Sequence, residues 1–170
     1  VDLRTIKAQN QVLEGTGSIV FHHSSGQAFA ALSDRCTAPL FTKFCDEYGY
    51  QAHMFETTSE QGLPIYHTNV VMSCGKHFAV VTKEILKDTK NSRNTIKILE
   101  DNLEDLIFIS EEQMSQSFCG NIIQLQNNRD QPLIIMSESA LKRFTTSQKK
   151  SLEKHGELIE CHIPTTEYIG

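Results

Sequence analysis

The sequence predicts an α/β fold in which a ββαβ unit of about 50 residues occurs three times. Three segments, residues 15–34, 67–86 and 119–141, share one layout: a short apolar strand, a polar or glycine-containing turn, and a second apolar strand. Ser18, Asn69 and Asn121 take matching places, 51 and 52 positions apart. So steady a period is typical of a repeat architecture.

The stretch after each hairpin predicts a helix and then a third strand. In the first unit, PLFTKFCDEYGY predicts a helix that ends at Gly49, and QAHMFET predicts a strand. In the second, the apolar spacing of NSRNTIKILEDNLED predicts a helix, and LIFIS the strand. In the third, TTSQKKSLEKHG predicts a helix with Thr145 or Thr146 as N-cap, and ELIECHIP the strand.

A single ββαβ unit cannot bury both faces of its sheet, so such units stack or close around a centre. Because three units do not close a ring, we expect residues 1–170 to be one partial domain of a larger propeller. Its units are expected at about 14–58, 66–110 and 118–164. VDLRTIKAQNQ is expected to end a preceding unit, and TTEYIG to lead into the next hairpin.

Composition excludes several classes of protein. The chain has 170 residues, 39% of them hydrophobic, and a net charge of -5, which argues against a nucleic-acid partner. No apolar run reaches the length of a membrane span, and the first residues lack the apolar core of a signal peptide. Five cysteines without a CxxC pair predict buried thiols in a cytoplasmic protein: Cys36, Cys45, Cys74, Cys119 and Cys161. No metal or organic cofactor is predicted, since no HExxH or HxxxH spacing occurs.

In a ring of such units, the turns that open the hairpins face the central axis, so their polar residues are the candidates for chemistry. Glu14 precedes Gly-Thr-Gly, where glycines allow close approach of a ligand; the alternative is a surface acid before a tight turn. His67 suits a general acid or base, and the alternative is a hydrogen-bonded, partly buried histidine. The guanidinium of Arg35 can donate two parallel hydrogen bonds to a substrate carboxylate. The alternatives are a pairing with Asp34 or a charge at the start of a helix.

Several motifs carry a resemblance to a known family: LEGTGSIV, ALSDR, GLPIYHTNVVMS, ISEEQM, CGNIIQLQN and LIIMSESALKRFTTSQ. They resemble the amidinotransferase and arginine deiminase superfamily (the penteins), in its citrulline-utilisation hydrolase-like branch. The resemblance runs from about Leu3 to Gly170. It implies a five-bladed α/β propeller, in agreement with the repeat.

The resemblance also implies a covalent mechanism on arginine or a related guanidino compound. A cysteine thiolate attacks the guanidino carbon, an amine leaves, and water or a second amine completes a hydrolase or amidinotransferase reaction. Glu14 then matches the acid that binds the guanidinium, His67 the general acid/base, and Arg35 the group that holds the substrate carboxylate. A homodimer is an open alternative, and no membrane partner is expected.

Two departures from the family pattern affect these expectations. Asn69 stands where many members carry an aspartate, so it offers an amide oxygen without a charge. The family cysteine is expected after Gly170, at the start of the next hairpin, and Cys74 and Cys119 are the weaker alternatives within the chain. Two non-enzymatic possibilities stay open: a guanidino- or amino-acid-binding regulatory protein on the same scaffold, and a purely structural module.

Overall fold

Three small sheets of three strands each give the chain a mixed α/β fold. The computed structural model describes residues 11–15 and 17–169, with the backbone alone at Ile169. The first sheet has strands β1 Val20–His22, β2 Gln27–Ala31 and β3 Gln51–Phe55. The second has β4 Met72–Cys74, β5 Phe78–Thr82 and β6 Asp105–Ile109. The third has β7 Ile123–Gln126, β8 Pro132–Ser137 and β9 Glu157–Cys161.

Every sheet repeats the same pairing. The middle strand runs antiparallel to the strand before it and parallel to the strand after it. A parallel pair needs a crossover connection, and helices supply it in all three sheets. The helices are α1 Ala38–Tyr48, α2 Thr68–Val71, α3 Lys90–Asn102, α4 Glu111–Ser117, α5 Glu138–Arg143, α6 Thr146–Glu153 and α7 Pro164–Ile169. The predicted α/β class is confirmed, while the closed five-bladed ring stays a prediction.

The helix boundaries follow local signals in the sequence. Helix α1 has a proline in its first turn and ends at Gly49, whose φ of 74° is the left-handed conformation that glycine adopts without strain. Helix α6 begins after Thr145, whose hydroxyl accepts a hydrogen bond from the backbone amide of Gln148, while Oε1 of Gln148 accepts the backbone amide of Thr145. This capping box selects Thr145 over Thr146 as the N-cap.

The segment that opens the second hairpin differs from the prediction. Thr68–Val71 form a helical turn, and the strand begins only at Met72. The buried hydroxyl of Thr68 bonds to the backbone of Ser18 and Ala31, which fixes this segment before the strand ladder starts. The short helices α4 and α5 were also not predicted.

The chain divides into two compact units. The first contains residues 11–15, 17–69 and 85–98, and its core packs around β2 and α1, with Ala28, Ala30, Cys36, Phe41 and Cys45 fully buried. The second contains residues 70–84 and 99–169, and all five residues of β5 are buried there. Among the described helices, none has the length and apolar character needed to cross a bilayer. Residues 1–10, expected to end a preceding unit, and Gly170 lie outside the described residues.

Candidate active site

The four sequence-predicted site residues all lie in the first compact unit, and the structure brings them together. The Glu14 carboxylate contacts two of them: Oε1 lies 2.8 Å from Nη1 of Arg35, and Oε2 lies 3.3 Å from Nε2 of His67. The three side chains are about half exposed. The acid, the base and the cation therefore share one open cluster, although Glu14 and His67 are 53 positions apart in the chain.

Backbone contacts hold Glu14 and Arg35 side by side. The Glu14 amide donates to the carbonyl of Arg35 over 2.9 Å, and Leu13 forms an antiparallel bridge with Cys36. The turn that carries Arg35 is closed by reciprocal hydrogen bonds of 3.1 Å between Ser33 and Cys36. The sequence left open a pairing of Arg35 with its neighbour in the chain; the structure pairs it with Glu14 instead.

The histidine segment is fixed by a residue that the sequence did not single out, Thr68. Its hydroxyl donates to the carbonyl oxygen of Ser18 over 2.6 Å and accepts the amide of Ala31 over 2.8 Å. Thr68 is fully buried, and Asn69 adds a backbone bond of 3.1 Å to the Gly17 carbonyl. The turn after Glu14, the end of β2 and the histidine segment are thereby joined.

Gly17 lies directly against the histidine segment. A Cβ at this position would stand 3.1 Å from the His67 ring and 3.2 Å from Oδ1 of Asn69, tighter than ordinary van der Waals contact. The Asn69 oxygen is itself buried and has no hydrogen-bond donor among the described residues. A buried acceptor without a donor is rare in folded proteins.

The contacts of Glu14 set its protonation state. Partial burial alone would raise the pKa of the carboxyl, but the hydrogen bonds and positive charges of Arg35 and His67 outweigh this effect and lower it. Glu14 is therefore an anion at neutral pH, which is the state that attracts a planar cation such as a guanidinium.

Four of the five described cysteines are not activated thiols. Burial raises the pKa of Cys36 and Cys45 to about 11 and that of Cys74 and Cys119 to about 12. Thiols with such pKa values stay protonated near neutral pH, whereas a nucleophilic cysteine has a lowered pKa. This argues against Cys74 and Cys119 as the nucleophile. No group of three His, Cys, Asp or Glu residues in the described part of the chain could hold a metal ion.

One further residue of the cluster, Tyr66, escaped the sequence analysis. Tyr66 places its ring 5.4 Å from Cζ of Arg35, and its carbonyl oxygen accepts the Ser33 hydroxyl over 3.4 Å. Tyr66 directly precedes His67 and is 48% exposed. An exposed aromatic residue next to a candidate histidine was the signal available in the sequence.

Comparison with known proteins gives the family to which this ββαβ repeat belongs. A model of the eukaryotic N,N dimethylarginine dimethylhydrolase family matches residues 1–170. The chain belongs to this family, and the predicted superfamily is confirmed. A search of curated proteins found no match to the chain.

Solved structures show where this fold occurs. One such structure is the N-terminal domain of ArgZ, an arginine dihydrolase from the ornithine-ammonia cycle in Cyanobacteria, solved as a cysteine-to-serine mutant bound to substrate. It is 17% identical to this chain, with a TM-score of 0.65. The same domain, covalently bonded to a reaction intermediate, is 15% identical with a TM-score of 0.68. Both alignments cover 95% of this chain and 53% of the other.

A third structure is DDAH from Pseudomonas aeruginosa, a cysteine-to-serine mutant complexed with citrulline. It is 14% identical with a TM-score of 0.57, over 92% of this chain and 53% of that one. At these identities the similarity shows the shared fold. The present chain spans about half the length of all three structures.

Proposed function

We propose that the complete protein to which this chain belongs hydrolyses a C–N bond in the guanidino group of arginine or an N-methylated arginine, through a cysteine-bound intermediate. The observation that carries the proposal is the Glu14 carboxylate, held as an anion between Arg35 and His67. The family supports hydrolysis over amidino transfer, because the matching model describes a dimethylhydrolase. We place this activity in the cytoplasm.

Each group has a role that its chemistry suits. Glu14 binds the guanidinium by charge and hydrogen bonds and orients its carbon toward the nucleophile. The cysteine sulfur forms a bond to that carbon, the bond to the leaving nitrogen breaks, and His67 supplies the proton with which the amine departs. Water then gives its proton to His67, its oxygen bonds to the carbon, and the thiolate is released with a citrulline-type product. Arg35 holds the substrate carboxylate, and Asn69 contacts the guanidinium through its amide.

The nucleophile is proposed to follow Gly170, in the opening turn of the next hairpin of a five-unit ring, with residues 1–170 as its partial domain. Related structures support a cysteine in this role. ArgZ has been solved covalently bonded to a reaction intermediate, and both ArgZ and the Pseudomonas DDAH were studied with their ligands as cysteine-to-serine mutants. The high thiol pKa values of Cys74 and Cys119 also favour a cysteine outside this segment.

A second candidate is a guanidino-binding protein without turnover. Asn69 favours it, because the amide brings no charge and its oxygen is buried against Gly17. Such a protein would bind arginine or an N-methylated arginine and release no product.

The deciding experiment follows citrulline and amine release by the complete protein from arginine and N,N-dimethylarginine, with calorimetry on the same samples. We expect turnover, and a loss of about 100-fold or more in kcat/KM for Glu14→Gln and His67→Gln. Glu56→Gln and His77→Gln are matched controls, since both residues are half exposed and form comparable ion pairs with Lys87 and Glu104. Binding without product would select the second candidate, and wild-type activity in both site variants would refute the proposed site.

A further inference from the structure

The carboxylate proposed to bind the substrate is occupied in this structure by the protein's own guanidinium. Nη1 of Arg35 lies 2.8 Å from Oε1 of Glu14, and the backbone bond of 2.9 Å between the same residues keeps them adjacent. The other carboxylate oxygen faces His67. A guanidino substrate and Arg35 therefore present the same chemical group to the same carboxylate, and they compete for it.

Tyr66 contacts Arg35 through its ring and is also linked to it through Ser33. The Arg35 guanidinium lies over its ring, 5.4 Å from Cζ to the centroid. Ser33 links the two residues, since its hydroxyl accepts the Arg35 amide over 3.2 Å and donates to the Tyr66 carbonyl over 3.4 Å. The Tyr66 ring is half exposed, and a cation–π contact requires only that the cation stay within about 6 Å of the ring centroid.

We propose that Arg35 exchanges partners during binding: it leaves Glu14, crosses the face of Tyr66 and takes the carboxylate of the incoming substrate. This inference rests on the proposed function, which it deepens by naming the substrate class. Before binding, Glu14 neutralises Arg35. After binding, Glu14 neutralises the substrate guanidinium, and the substrate carboxylate neutralises Arg35. The site thus selects guanidino compounds that carry a free carboxylate.

The charge balance explains the selectivity. Agmatine keeps the guanidinium and the ammonium group of arginine but lacks the carboxylate, so when it displaces Arg35 from Glu14 it leaves Arg35 without a negative partner. The exchange itself costs little, because Arg35 and Glu14 are about half exposed and exposed pairs of this kind change an equilibrium by about five-fold at most. The substrate carboxylate therefore decides whether displacement is favourable.

The test compares arginine with agmatine on the complete protein, in the wild type, in Arg35→Ala and in Arg93→Ala. Arg93, also ion-paired in the first compact unit, is the matched control. In Arg35→Ala we expect kcat/KM for arginine to fall about 10- to 100-fold, because a charge-assisted contact is lost. For agmatine we expect a gain of about two- to five-fold, because its competitor for Glu14 is gone.

The gain with agmatine distinguishes exchange from other roles of Arg35. If Arg35 only clamps the carboxylate, agmatine kinetics stay at the wild-type level, and if it only stabilises the fold, both compounds lose equally; either result overturns the exchange. If the wild type binds arginine without turnover, the proposed function fails. The exchange is then tested by calorimetry, in which Arg35→Ala should weaken the affinity for arginine and strengthen the affinity for agmatine. A wild type that binds neither compound overturns both proposals.

Tyr66 provides a second, milder perturbation. Tyr66→Leu removes the aromatic face and is expected to raise KM for arginine about two- to five-fold with kcat unchanged. Tyr66→Phe keeps the ring, so its KM for arginine should rise less than that of Tyr66→Leu. Equal kinetics of the leucine and phenylalanine variants would remove Tyr66 from the exchange.

Discussion

The hydroxyl of Thr68 donates a 2.6 Å hydrogen bond to the carbonyl oxygen of Ser18, 50 positions earlier in the chain. The same hydroxyl accepts the amide of Ala31, so one buried oxygen satisfies two backbone groups. His67 and Asn69 flank this residue. The bond therefore determines where both neighbours stand relative to the turn that carries Glu14.

Replacement of Thr68 by valine keeps the shape of the side chain and removes both hydrogen bonds. We expect the free energy of unfolding to fall by about 1–3 kcal/mol, because a buried carbonyl and a buried amide lose their partner, and kcat/KM of the complete protein to fall with it. Thr82→Val is the control in the second unit, where the equally buried Thr82 donates to the Val71 carbonyl. Thr68→Ser should recover most of the activity; an active, fully stable valine variant would contradict this role.

Gly17 offers a test of how closely the site is packed. In Gly17→Ala, the new methyl group would meet the His67 ring and the Asn69 oxygen at 3.1–3.2 Å, so both side chains must shift by a few tenths of an ångström. We expect kcat to fall about 10-fold, since small displacements of catalytic groups are costly. Gly15→Ala is the matched control because its methyl group would meet nothing within 4 Å. Equal activities of the two variants would show that the contact is unimportant.

The fold could be predicted because its signals are local. Each unit carries its own apolar strands, turn and helix within about 50 residues, and Gly49 and Thr145 mark helix boundaries by their chemistry. The helix α4 was predictable in principle, since Ser110 and Gln113 form a capping box with a recognisable spacing. The first strand of the second hairpin begins only at Met72, because tertiary hydrogen bonds hold Thr68 in a helical turn and override the β preference of the valines that follow.

The candidate site was predictable only in part. Glu14, Arg35 and His67 follow from turn positions and family motifs, and the structure adds that they share one carboxylate. The contributions of Thr68 and Tyr66 depend on partners 31 to 50 positions away, which no local pattern specifies. Their roles become visible only when the segments are brought together.

Cysteine reactivity provides a prediction about chemistry outside the site. With thiol pKa values of about 11 to 12, fewer than about one in a thousand of these groups is a thiolate at pH 8. We expect slow alkylation of the native chain at Cys36, Cys45, Cys74 and Cys119, measured by mass spectrometry of peptides, and rapid reaction of all four after unfolding. In the complete protein, the proposed nucleophile after Gly170 should react first. Fast alkylation of Cys74 or Cys119 in the native chain would contradict this prediction and would support that residue as a candidate nucleophile.

In the second unit, the buried His155 pairs with Asp105, and this carboxylate is expected to make stability depend on pH. Nε2 of His155 lies 2.8 Å from Oδ2 of Asp105, its ring stacks on Phe78 at 5.2 Å, and Lys154 contacts both carboxylate oxygens. The hydrogen bond from Lys154, and then that from His155, lowers the pKa of Asp105 although partial burial opposes the shift. The ionised carboxylate therefore favours the folded state.

Because the pKa of Asp105 is lower in the folded than in the unfolded chain, its contribution is complete above the ordinary aspartate pKa of about 4 and is lost as the pH falls through the folded value. We expect Asp105→Ala to lower the free energy of unfolding by about 1–2 kcal/mol at pH 7, and the difference from wild type to vanish in acid. Glu138→Ala is the control, since that carboxylate also pairs with a lysine and a histidine, but both of these partners, Lys142 and His162, are largely exposed, so its loss should change stability less. Urea unfolding across pH 2–7 measures the free energy of unfolding of both variants and of the wild type. If the difference between Asp105→Ala and the wild type stayed constant with pH, the contribution of Asp105 would come from packing rather than from its charge.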